Sequence, residues 1–183
     1  MTLVLSGSNG VTFPDGTGPF DGADLDNDYS FVSTNTPSST PQYMTFASLA
    51  ADVNHHFVFV NIKPVTDAQL LECQFSHGGS FATSGYDQNG NVSEITVANI
   101  SIGNGADQGF MGRVCLYDPN QASSVNGITI VGVGLTATPN AVESMEGGAF
   151  LTNQNAVDGI RFFFASGDFQ DVGTICHYTE ALA

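Results

Sequence analysis

Short apolar segments recur along most of this chain, each cut off within about a dozen residues by glycine, asparagine, aspartate or serine, and none shows a sustained helical period. In LLECQF, Leu71, Cys73 and Phe75 fall on one pleat while Glu72 and Gln74 face the other, the pattern of a half-buried antiparallel strand. Strands are expected at 43–49, 55–63, 69–76, 92–102, 110–117, 127–135, 149–152, 159–165 and 174–178. The turn chemistry between them is supplied by HGGS, DQNGN, GNGADQG, DPNQASS, TPN and SGD. Such spacing predicts an all-β fold, an antiparallel β-sandwich of jelly-roll-like form.

The segment IRFFF carries the bulkiest run. Phe162 and Phe164 share one pleat and Phe163 takes the other, so both faces of the strand need cover. After Ser166-Gly167-Asp168 and a second break at 171–173, residues 174–178 read as a return strand, and a closing hairpin is expected.

At 183 residues the chain has length for one core and an appended arm. Residues 14–41 hold four of the seven prolines, and that spacing excludes a regular helix or a central strand. The division expected is an N-terminal strand with an extended arm over 1–42 and the sandwich over 43–183. A polar arm of this kind is expected to lie against a neighbouring subunit.

Only 11% of residues are charged, against about 25% in ordinary globular chains. The net charge is −15, with Lys63, Arg113 and Arg161 the only strong bases, so no basic patch exists to neutralise phosphates or dock on anionic lipid. Nucleic acid is therefore not an expected partner. Membrane insertion is not expected either, since the apolar runs are shorter than the 20 or so residues a helical span needs. A single Lys leaves strand edges without their usual guard, so cover from partners is expected. The start MTLVLSGSNG has no basic leader region, and folding in a cytoplasm is expected. Cys73, Cys115 and Cys176 lie far apart in apolar segments and read as buried free thiols.

Candidate chemistry is sparse. Asp21, Asp24, Asp26 and Asp28 have the alternate spacing of the first half of a calcium loop, but its sixth position is Tyr29 rather than Gly and its twelfth is Asn35 rather than Glu. His55 and His56 are consecutive on a strand, so their rings point to opposite faces and cannot share one metal; His77 and His177 stand alone in sequence. Ser80 lacks a nucleophile elbow, and GNGADQG lacks the following helix that would present amides to phosphate. Glu72, Glu94, Glu143 and Glu146 are available for paired-carboxylate chemistry, but nothing in their spacing pairs them. Asn91 and Asn99 begin glycosylation sequons that a cytoplasmic product would not use. No catalytic, cofactor-binding or metal site is expected, and no enzymatic activity.

The opening SGSNGVTFPDGT resembles the short strand-and-turn of tail-fibre-like proteins of tailed bacteriophages. Three further blocks, LLECQFSHGGSFATSGYD, GRVCLYDPNQ and AVDGIRFFFASGDFQDVGTICHYTEAL, resemble a small β-sandwich family of phage virion proteins. His177 and Thr179 depart from it, where relatives often carry Leu and Gly. The resemblance implies a structural protein of the virion, assembled in the host cytoplasm: a head decoration or cement protein, or a tail-fibre or tail-attachment subunit. It implies self-association as a homotrimer and contact with major capsid or tail proteins. The alternative is a carbohydrate- or receptor-binding module on a tail appendage, contacting a host surface glycan, for which Tyr29, Tyr86 or Tyr117 exposed beside Asn and Asp at one end would be the sign.

Overall fold

The computed structural model describes residues 29–88, 94–119, 126–137, 141–152 and 156–182, with the backbone alone of three short strands at 4–6, 10–12 and 91–92. The chain is all-β: no helix occurs among the described residues, and every strand pairing is antiparallel. The strands are β1 (Val4–Ser6), β2 (Gly10–Thr12), β3 (Tyr29–Asn35), β4 (Met44–Ala47), β5 (Val53–Ile62), β6 (Gln69–His77), β7 (Ser80–Phe81) and β8 (Tyr86–Asp87). They continue with β9 (Asn91–Val92), β10 (Ile95–Ile102), β11 (Gly109–Tyr117), β12 (Asn126–Leu135), β13 (Val142–Leu151), β14 (Gly159–Phe164) and β15 (Thr174–Ala181). One sheet has eight strands in the order β3-β15-β5-β11-β12-β13-β8-β9, another runs β10-β6-β14-β4 with β7 on β6, and β1 pairs with β2.

Both large sheets bury one pleat in a common core. The eight-stranded sheet contributes Phe57, Phe59, Phe110, Val114 and Ile175, and the smaller one Leu71, Cys73, Phe75, Phe162 and Phe164. Phe162 sits at the centre, with its ring centroid 4.9 Å from that of Phe59, 5.3 Å from Phe57 and 6.2 Å from Phe46. These edge-on arrangements suit the ring quadrupoles. Gly112 and Gly132 lie opposite each other on the core pleat, and the Phe110 ring lies over both, within 2.7 Å of where a Cβ would stand. Glycine here gives an aromatic ring room to lie flat against the sheet.

The expected alternation holds in β6, where Leu71, Cys73 and Phe75 are buried on one pleat. The closing hairpin does not form. β14 pairs with β4 and β6 in the smaller sheet, whereas β15 lies between β3 and β5 in the larger one. Both edges of β14 are already taken, so the chain after Phe164 must cross from one layer to the other. Phe169, fully buried against Phe164, fixes that crossing, and its backbone bridges Pro64. The second pleat of β14 carries Arg161 and Phe163, half-buried under Tyr43 and Phe81.

Within the segment read as an arm, Tyr29–Asn35 is an edge strand beside β15; residues 13–28 lie outside the described residues. β13 runs from Val142, seven residues earlier than expected, because Glu143, Glu146, Gly147 and Gly148 hide its apolar alternation.

Candidate interaction surface

The outer pleat of the eight-stranded sheet is the largest chemical anomaly of the molecule. In an ordinary half-buried antiparallel sheet that pleat is polar. Here it shows Phe31 at 61% exposure, Met111 at 53%, Val131 at 55% and Phe150 at 56%. Cross-strand register builds it in rows: Tyr117, Gly127 and Phe150 form one, Arg113, Val131 and Glu146 another, Met111, Val133 and Ser144 a third. A shallow depression lies over Met111, Arg113, Val131 and Val133. Large apolar side chains exposed on one face in this number mark a contact site.

Charge is distributed with the same bias. Lys63 is buried, its Nζ donating to the carbonyls of Gly105 (2.9 Å) and Ala106 (2.7 Å). Arg161 is held between the Tyr43 and Phe81 rings, 4.1 and 4.3 Å from their centroids, and donates to Gln74 Oε1 through Nε and Nη2. Arg113, on the outer pleat of β11, is thus the one strong base of the chain left exposed.

The histidines fall into two groups. His55 and His56 do point to opposite faces. His55 is buried inside with His177, Nδ1 to Nε2 at 2.8 Å, and its Nε2 lies 3.0 Å from the Ala50 carbonyl. Burial first, and repulsion from the other histidines second, lowers His177 to about 4; burial also lowers His55. The pair lines a cleft of about 300 Å³ between β3, β15 and β4. His56 faces outward beside Tyr29, its Nε2 3.0 Å from Glu180 Oε2 and 3.8 Å from Cys115 Sγ. A cysteine–histidine–carboxylate relay needs the thiol and the carboxylate on different ring nitrogens. Here both meet Nε2, Nδ1 is buried without a partner, and burial raises the Cys115 thiol, so the group is not an activated nucleophile.

The remaining candidates are dispersed. Burial, then repulsion from Glu94, pushes Glu72 up to about 7, while Glu143 and Glu146 lie on β13 in the other sheet. Ser80 is exposed on β7, and His77 Nδ1 meets the Ala156 carbonyl at 2.8 Å. Among the described residues no group of three or more His, Cys, Asp or Glu could hold a metal ion. Asp21, Asp24, Asp26 and Asp28 lie outside the described residues, and Tyr29 and Asn35 belong to an extended strand. Cys73, Cys115 and Cys176 are free; Cys176 is only half-buried. Tyr86 is fully buried, accepting from the Phe75 amide and donating to the Ala82 carbonyl, which removes it from any surface platform. Asn99 is exposed on β10. Sequence reasoning missed the outer pleat because its residues are scattered over four strands and only the register assembles them.

No family model matches the sequence, and no curated protein matches it.

Proposed function

We propose that the chain is a structural subunit of a tailed-phage virion, a surface component of head or tail, that works as a homo-oligomer. The observation that carries self-association is the apolar outer pleat around Met111, Val131 and Phe150 in a chain with so few charges. The virion setting rests on the resemblance of the sequence blocks given above. The strand pairing supports a jelly-roll sandwich: β3 pairs with β15, β4 with β14, β5 with β11 and β6 with β10, four nested antiparallel pairs rolled into two sheets. On this reading β12 and β13 are an added hairpin on the β11 edge, and it is they that carry most of the apolar pleat. Jelly rolls serve as viral shell and lectin domains alike. Gold-labelled antibody against the chain, applied to purified particles, is expected to mark head or tail at regular positions; particles free of the chain would refute the reading. The homotrimer suggested by analogy with fibres is decided by the mass of the assembly.

A second reading, the carbohydrate- or receptor-binding module, is favoured by one observation. Tyr29, Glu180 and Asn54 form a cross-strand row at one end of the outer pleat, and Tyr117 follows Leu116, the partner of His55, so it stands level with Asn54. Both tyrosines are exposed. Two rings flanking an amide and a carboxylate suit a sugar. A glycan array that stays blank would remove this reading.

A further inference from the structure

We propose that the contact between copies is a two-fold one, made by the outer pleat of β11–β12–β13, with Arg113 of one copy meeting the partner's Glu146. The inference rests on the self-association reading above and specifies its surface and symmetry.

The chain carries 18 carboxylates against 3 strong bases, so two copies repel one another wherever carboxylates face. On the outer pleat of these three strands the charged residues are one base, Arg113, and one acid, Glu146. They lie on either side of Val131 in the same cross-strand row, two strand spacings or about 10 Å apart. A two-fold axis running along β12 exchanges β11 with β13. It lays Val131 on the partner's Val131, Arg113 on the partner's Glu146 and Tyr117 on the partner's Phe150. A single operation satisfies both charges and pairs the exposed aromatic residues, which is what an isologous contact requires.

The three strands average about ten residues, so at strand spacings of about 4.8 Å and a rise of about 3.3 Å their face spans roughly 460 Å². One partner of a standard interface contributes about 800 Å², so the contact belongs to the smaller, reversible class.

The test is the light-scattering mass of the full chain and of three variants, with circular dichroism and a thermal melt confirming that each folds. Arg113→Glu and Glu146→Arg each set like charges together and are expected to raise the dimer dissociation constant about tenfold or more; the double exchange is expected to restore it. Val131→Cys places a thiol on the axis, facing its own copy across sheets about 10 Å apart, and is expected to be joined into a covalent dimer by a short bismaleimide linker, which does not join Thr45→Cys, on the outer pleat of the smaller sheet. A trimeric mass, or an oligomer indifferent to both charge reversals, would overturn the two-fold contact and leave self-association standing. A wild-type monomer would overturn both, including the case in which residues 1–28 or another virion protein occupies the face.

Discussion

The His55–His177 pair makes stability depend on pH in a direction that can be worked out. A carbonyl only accepts, so His55 donates its Nε2–H to Ala50; its Nδ1 then keeps the lone pair and accepts from His177 Nε2–H. Both rings are neutral in this arrangement, and a proton added to His55 Nδ1 would set two donors against each other. Burial, and after it repulsion from His55 and His56, holds His177 at about 4 in the folded protein, against 6.5 for a free ring. Above 6.5 neither state binds the proton and the contribution is fully present. As pH falls from 6.5 towards 4 the unfolded chain takes protons that the folded one refuses, so stability is lost, and below about 4 the loss levels off. Carried in full, the difference corresponds to about 3 kcal/mol. Both rings line a cleft that solvent reaches, which screens part of it and leaves about 2 kcal/mol. Urea unfolding at pH 7.5 and pH 4, compared between wild type and His177→Gln, isolates the effect, because other titrating groups cancel in the difference and Gln can still donate to His55. The wild type is expected to lose about 2 kcal/mol more than the variant between the two pH values. Equal losses would refute the neutral, hydrogen-bonded pair.

Phe162→Ala removes a fully buried ring that touches Phe46, Phe57 and Phe59, and is expected to cost about 3–5 kcal/mol, a thermal midpoint lower by roughly 10 °C; an unchanged melt would contradict its central place. Gly132→Ala drives a methyl into the Phe110 ring and is expected to lower the midpoint by several degrees, whereas Gly147→Ala, with open space around it, is expected to leave it within a degree or so. Glu72 runs opposite to the histidines: its folded carboxyl is raised to about 7, so its contribution is present below 4.5 and lost as pH rises through 7. Glu72→Gln is therefore expected to raise the thermal midpoint at pH 8 and leave it unchanged at pH 4.

What the sequence made legible was period-two alternation over a buried pleat. LLECQF could be read residue by residue because Leu71, Cys73 and Phe75 all face the core and their neighbours do not. The opposite orientations of His55 and His56 followed from the same parity. What escaped lay in partner choice. A short glycine-containing break after IRFFF looks the same whether the chain turns back beside itself or crosses to another sheet; the one local sign was Phe169, an apolar residue in the connection. β3 and much of β13 escaped because an edge strand and a strand with both faces open need little apolar content. The pairing of His55 with His177, 122 residues apart, left no local trace at all.

The outer pleat of β11–β12–β13 is the point on which the account turns, and the mass of the untouched full-length chain in neutral buffer tests it most directly. Light scattering over a concentration series is expected to give about twice 19.1 kDa at micromolar concentration and above. A particle of 19.1 kDa that persists to the highest concentration would contradict it.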